Sequence, residues 1–244
     1  MTYCVGMLLD AGLVCLSDSR TNAGVDHINT FRKMNLFERP GERVLVLMSA
    51  GNLALTQTLV SLLRERLATD GPNLYTVTNM FEAARHVGDC LREVHARDAE
   101  ALKEFGIEFN ASLILGGQIL GEEPRLFQIY AAGNFIEATR DTPYFQIGEA
   151  KYGKPIIDRV IRPETTLDEA AKCALISMDS TIRSNLSVGL PLDLLVLRTG
   201  ALKVCSHTRI DAENAYFEMI RTRWGESLRE AFHALPSPDW IPPA

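Results

Sequence analysis

Apolar positions change their spacing several times along this 244-residue chain, and each change marks a border between strand and helix. Tyr3 to Leu9 and Leu13 to Ser17 are short apolar runs, partly β-branched or aromatic, with Asp10-Ala11-Gly12 as a turn signal between them. Thr21-Asn22-Ala23-Gly24 reads as another turn, and Arg32 to Phe37 as a strand closed by Arg39-Pro40-Gly41. Val44 to Met48 is a continuous apolar run, which predicts a strand buried on both faces. The period then becomes helical. Leu55, Leu59, Leu62, Leu63 and Leu67 predict a helix from Asn52 to about Thr69, ended by Asp70-Gly71-Pro72. Phe81, Ala84, Val87, Leu91, Val94 and Leu102 predict a longer one from about Thr78 to Phe105.

Strands return at Ala111 to Leu115, Leu126 to Ala131 and Phe135 to Ala138, with Gly116-Gly117 and Gly133-Asn134 as the turns between them. A helix is expected from Tyr152 to about Arg162, stopping before Pro163. Thr166-Leu167-Asp168-Glu169 has the form of a capping box and opens a helix to about Ser184. Asp193 to Arg198 and Leu202 to His207 read as a hairpin around Thr199-Gly200. A last helix begins near Asp211, with Tyr216, Ile220, Trp224 and Leu228 on one face. Two sheets between two helical layers would bury both the apolar strands and the helical stripes. The expected fold class is therefore α+β, a four-layer αββα sandwich, in one domain over residues 1–235. Residues 236–244 form a Pro-rich tail, extended or docked on a neighbour.

Composition narrows the function classes. With 46% hydrophobic and 23% charged residues, the chain is ordinary globular material with a sizeable core. A formal net charge of −6 lacks the basic excess of nucleic-acid binding, so no nucleic-acid partner is expected. No stretch approaches the roughly 20 apolar residues of a membrane span, and the first residues lack a secretory signal. The expected setting is the cytoplasm, with no membrane partner. Cys4, Cys15, Cys90, Cys173 and Cys205 are scattered, with no Cys-x-x-Cys pair. They read as reduced, mostly buried side chains, and no metal or cofactor is expected.

The common catalytic signatures are missing: there is no His-Glu-x-x-His, Gly-x-Ser-x-Gly, Walker loop or dinucleotide fingerprint. His27, His86, His95, His207 and His233 lie far apart, and for His86 and His95, on a predicted helix rich in charge, surface or packing roles suit better than ligand roles. What remains is the amino terminus. Thr2 favours removal of Met1, which would leave a residue carrying both a hydroxyl and an α-amine. Such an amine titrates near pH 8, so part of it is neutral at physiological pH and can accept the hydroxyl proton. Many chains begin Met-Thr, so this feature alone selects no function.

The rest of the chain adds to it. Met1-Thr2-Tyr3-Cys4 is followed by Ser17-Asp18-Ser19-Arg20-Thr21-Asn22-Ala23-Gly24 and Phe31-Arg32-Lys33-Met34. Further on come Ser49-Ala50-Gly51, Ile147-Gly148-Glu149-Ala150-Lys151-Tyr152-Gly153-Lys154-Pro155 and Arg183-Ser184-Asn185-Leu186-Ser187-Val188-Gly189. In order and spacing, these segments resemble the proteasome-type N-terminal-nucleophile hydrolases, and within them the bacterial Anbu branch of ancestral β-subunit-like proteins. The resemblance extends to about residue 225.

It implies a self-compartmentalising threonine-type peptidase that acts on peptides or proteins as a homo-oligomer, a ring or an open spiral. By the same resemblance, Thr2 is the nucleophile, Lys33 the lysine that favours its reactive form, and Asp18 the acid that holds Lys33. Gly51 supplies an oxyanion N–H, and Ser187 is a retained serine of the site. Read apart from the family, Asp18 suits a turn, Lys33 a solvated strand and Gly51 a helix start. Ser19, Glu149 and Ser184 are candidates for the surrounding shell. Two of them depart from the family pattern, because Glu149 stands where a neutral hydroxyl is expected and Ser184 where a carboxylate is expected. Those departures favour an alternative, a subunit that assembles and binds peptide with little peptidase activity. Transfer of the acyl group to an amine instead of water is a third course. Substrate preference is expected to depend on residues around Thr21 and Ala50, and an ATPase partner is left open.

Overall fold

The computed structural model describes residues 1–23 and 27–240. Strands β1 (Tyr3–Leu9) and β2 (Gly12–Asp18) pair antiparallel, with Cys4 opposite Ser17 and Leu9 opposite Gly12. A small hairpin follows, β3 (Arg20–Ala23) with β4 (His27–Thr30). The next strands, β5 (Met34–Arg39), β6 (Arg43–Gly51), β7 (Ala111–Ile119), β8 (Arg125–Ile129) and β9 (Phe135–Glu137), form one antiparallel sheet in that order. The other sheet runs β10-β1-β2-β11-β12, with β10 (Tyr144–Gly148), β11 (Leu192–Arg198) and β12 (Val204–Ile210).

Side-chain alternation along the strands builds three apolar layers. In β6, Leu45 and Leu47 pack against α1 (Leu53–Arg66) and α2 (Met80–Glu104). Val44, Val46, Met48 and Ala50 point the other way, into the core between the sheets. In β1, Cys4 enters that same central core. Tyr3, Val5, Met7 and Leu9 instead meet the layer formed by α3 (Lys154–Val160), α4 (Leu167–Ser184) and α5 (Ala215–Ala234). The molecule is the αββα sandwich expected of its pattern. No helix among the described residues is long and apolar enough to cross a membrane.

Several local expectations are corrected. Gly116-Gly117 is no turn but the middle of β7, opposite Val46 and Leu45. A Cβ at Gly117 would lie 2.2 Å from the Val44 carbonyl oxygen, so glycine here permits close strand packing. Thr21, Asn22 and Ala23 belong to β3, while Gly24 lies outside the described residues. On α5 the buried positions are Phe217 and Ile220, whereas Tyr216 and Leu228 are half exposed. That helix also starts later than Asp211, where the Asn214 side chain accepts the Phe217 N–H at 2.9 Å. Finally, β10 has no counterpart in the sequence reading. The capping box does form, with Glu169 accepting the Thr166 N–H at 3.3 Å.

Candidate active site

The antiparallel pairing of β1 with both β2 and β10 brings three chain ends together. The start of β1 meets the end of β2 on one side, and Tyr3 stands opposite Gly148, the last residue of β10, on the other. Thr2 therefore sits where these strands converge, and it is buried. Its carbonyl accepts the Glu149 N–H at 2.7 Å, which extends the β1–β10 ladder by one position. Gly148 has φ +80°, and a Cβ there would lie 1.9 Å from the Thr2 carbonyl oxygen. Only glycine permits this approach.

The next residue anchors the strand. Tyr3 is fully buried, with its hydroxyl 2.6 Å from Ser177 Oγ and accepting from Gln146 Nε2 at 2.5 Å. Burial pushes its phenol well above the ordinary range, so it stays a neutral hydrogen-bonding post.

Asp18, the last residue of β2, is buried and works in two directions. Its Oδ1 accepts the Tyr3 N–H at 3.0 Å and the Lys33 ammonium at 2.8 Å, and its Oδ2 accepts the Gly189 N–H at 3.5 Å. Burial raises the Asp18 carboxyl, while the adjacent Lys33 cation pulls it back down. Lys33 also donates to the Arg20 carbonyl at 2.6 Å, and its own carbonyl accepts the Ser49 N–H at 3.0 Å. The ammonium is thus one carboxylate away from the peptide that joins Thr2 to Tyr3.

Thr2, Lys33 and Gly51 line one cavity of about 1220 Å³, together with Thr21, Ala50, Gly148 and Met1. Gly51 is the last residue of β6 rather than a helix start; the cap of α1 is Asn52, which accepts the Ala54 N–H at 2.9 Å. Gly51 has φ +114°, and a Cβ would lie 2.3 Å from the Asn110 carbonyl oxygen. The close approach of β7 therefore requires this glycine whatever binds in the cavity.

The remaining candidates are placed less directly. Ser19 Oγ donates to the Pro191 carbonyl at 2.5 Å. Ser184 is exposed at the end of α4 and lies outside the cavity lining. Ser187 belongs to the loop after α4, its N–H donating to Asn185 Oδ1 at 2.9 Å. That loop is tied to the β2–β3 corner through Gly189 and through Arg20 Nη1, which donates to the Leu186 carbonyl at 3.1 Å. Glu149 is buried, with Oε2 accepting from Asn185 Nδ2 at 2.9 Å and Oε1 lying 3.4 Å from Lys151 Nζ.

The α-amine of Met1 registers these neighbours. Burial and then the Lys33 cation lower its pKa below the usual value for a chain terminus, while Asp18 and Glu149 oppose them. Three positions near the site were not predicted from sequence. Gly148 and Asn185 belong to the motifs already quoted, and His207 lines the cavity from β12, with Nε2 3.8 Å from Asp193 Oδ1. Only the glycine of the quoted Ile147-Gly148-Glu149 segment gave a signal that could have found one of them. Among the described residues, no group of three or more His, Cys, Asp or Glu side chains is placed to hold a metal ion.

The family model of the proteasome subunit matches residues 2–196. Among solved structures, the chain is 57% identical to Anbu, an ancestral β-subunit, from Yersinia bercovieri, over 98% of this chain and 100% of that one, with a TM-score of 0.92. It is 50% identical to a chain of the helical assembly of the Anbu complex from Pseudomonas aeruginosa, over 98% of both, with a TM-score of 0.94. It is also 51% identical to Anbu from Hyphomicrobium sp. strain MC1, over 97% of this chain and 99% of that one, with a TM-score of 0.88. A search of curated proteins returns no match.

Proposed function

Because the chain belongs to the proteasome subunit family and is an Anbu-type proteasome-like subunit, we propose that it is a threonine-type peptidase whose nucleophile is Thr2 after loss of Met1. The observation that carries this reading is the sharing of one cavity by Thr2 and Lys33, with Asp18 bonded to both the Lys33 ammonium and the Tyr3 N–H. Homologous Anbu from Pseudomonas aeruginosa forms a helical assembly, so this subunit is proposed to act as a cytoplasmic homo-oligomer.

In the proposed cycle, Thr2 Oγ attacks the amide carbonyl carbon while its proton passes to the liberated α-amine. The C–N bond then breaks, and that proton leaves with the amine product. The acyl group remains as an ester on Thr2 until water, deprotonated by the same α-amine, attacks it and restores the hydroxyl. Gly51 N–H is proposed to face the oxyanion, a contact that lowers the barrier by about 3 kcal/mol in other hydrolases. Lys33 keeps the amine in its neutral, proton-accepting form, and Ser187 and Ser19 hold the loop and corner around it. Intact-mass spectrometry should find the chain without Met1, and a peptide epoxyketone should add to Thr2. Adduct formation should vanish in Thr2→Ala. A mature chain that retains Met1 overturns the reading.

Glu149 gives that reading a pH test. Its negative charge opposes the lowering of the Met1 amine pKa and should act in the same direction on the liberated Thr2 amine, so Glu149→Gln should lower the pKa of that amine. The neutral amine is the active form, so the acid limb of kcat/KM should move to lower pH in the variant. An unmoved limb would mean that Glu149 does not sense the amine. The same residue favours a second reading, a subunit that binds peptide and assembles without turnover, because a carboxylate beside the amine holds its proton. That reading requires Thr2→Ala to keep every property of the native assembly.

A further inference from the structure

The cavity differs in charge sign from the chain that encloses it. The protein has 31 Asp and Glu against 25 Lys and Arg, yet among the described residues no Asp or Glu lines the cavity while Arg32, Lys33 and Arg64 do. Lys33 is neutralised by Asp18. Arg32 and Arg64 are not: both are exposed, and neither has an ion-pair partner among the described residues.

Local structure sets where these charges stand. Leu53, Thr56, Gln57, Val60, Ser61 and Arg64 recur at intervals of three and four, so one face of α1 forms a cavity wall and ends in a guanidinium. The opposite face of that helix, with Leu55, Leu59 and Leu63, is buried in the core, which fixes the wall's orientation. Arg64 Nη2 donates to Asn35 Oδ1 at 2.9 Å, which holds the planar group while its other N–H donors have no side-chain acceptor among the described residues. Arg32 immediately precedes the buried Lys33. Two guanidinium groups in a site that holds no carboxylate among the described residues match a substrate carboxylate in both charge and hydrogen-bond geometry.

We propose that this cavity selects acidic peptides, with an Asp or Glu side chain on the acyl side of the scissile amide held by Arg64 and Arg32. The acyl side is the part that stays in the cavity while the ester on Thr2 awaits water, so a contact there acts through both steps. This proposal rests on the peptidase reading for turnover but not for binding, and the test separates the two.

The first arm uses the Met1-free native protein and a fluorogenic peptide series with Glu, Gln, Leu or Arg on the acyl side. Glu should exceed Gln in kcat/KM by about tenfold, the size expected of two solvent-exposed charge contacts. The ratio should fall towards one near 1 M salt, where the Debye length is about 3 Å. Arg64→Glu combined with Arg32→Glu should invert the order in favour of the Arg peptide while Thr2 still takes up a small neutral electrophile. Equal rates for Glu and Gln peptides, with Thr2 still labelled, would overturn the acidic preference and leave the peptidase reading intact. The second arm titrates Thr2→Ala with the Glu and Gln peptides and needs no turnover. Tighter, salt-sensitive binding of the Glu peptide sustains the proposal even where no peptide is cleaved, and equal binding overturns it.

Discussion

Gly148→Ala is expected to cost about 3–5 kcal/mol of stability, at the upper end of single-substitution effects, and to abolish labelling of Thr2. Two causes act together. The residue has φ +80°, in the left-handed region where a side chain costs about 1–2 kcal/mol. Its Cβ would also lie 1.9 Å from the Thr2 carbonyl oxygen and 2.7 Å from the carbonyl carbon, both backbone atoms that cannot turn aside. Either Thr2 or the end of β10 must shift, and the bond from the Glu149 N–H to the Thr2 carbonyl is lost with it. Gly41 provides the control, because it has the same φ of +80° and nothing within 4 Å of a built Cβ. Gly41→Ala should therefore cost only about 1–2 kcal/mol, the backbone part alone. Denaturant midpoints of the two variants measure the difference directly. Equal losses would show that the contact with Thr2 contributes nothing.

These two glycines share the same φ, and they differ in what the fold brings against them. The same holds for the rest of the molecule. Tyr3 to Leu9 was legible to the residue because its apolar run is bounded by a turn and buried on both faces. The helix over Met80–Glu104 was legible because its buried positions repeat at helical spacing from Met80 to Val94. β10 escaped notice because it is five residues long and its partner β1 lies about 140 residues away, beyond any local signal. On α5 the period revealed a helix but not its buried face, since Tyr216 and Phe217 are adjacent and equally suited to a core. At the site, Thr2 stood out through its own chemistry, while Asp18, Lys33 and Gly51 were named only through likeness to a family. Asn185 and Arg64 are unremarkable as letters. They matter because α4 ends beside Glu149 and because α1 turns its 53–64 face to the cavity.

Lys33→Met is expected to be the most damaging change at the site itself. Asp18 is buried, and its carboxylate has the Lys33 ammonium as its cationic partner at 2.8 Å. Removing the cation leaves an uncompensated buried charge, a loss of about 3–5 kcal/mol in comparable pairs. Asp18→Asn should cost less, because an amide oxygen can still accept the Tyr3 N–H, though Lys33 then keeps only the Arg20 carbonyl. The informative protein is the double variant. With neither charge present, the desolvation penalty disappears from both sides, and the double variant should be more stable than Lys33→Met alone. Stability from denaturation then reads the pair's role in the fold, and epoxyketone labelling of Thr2 reads its role in chemistry. If the cation is needed to keep the Thr2 amine neutral, labelling should be lost in Lys33→Met and stay lost in the double variant despite the recovered stability. A double variant that regains both together would reduce the Lys33–Asp18 pair to a structural tie between strands, and the nucleophile would then owe its reactivity to something else in the cavity.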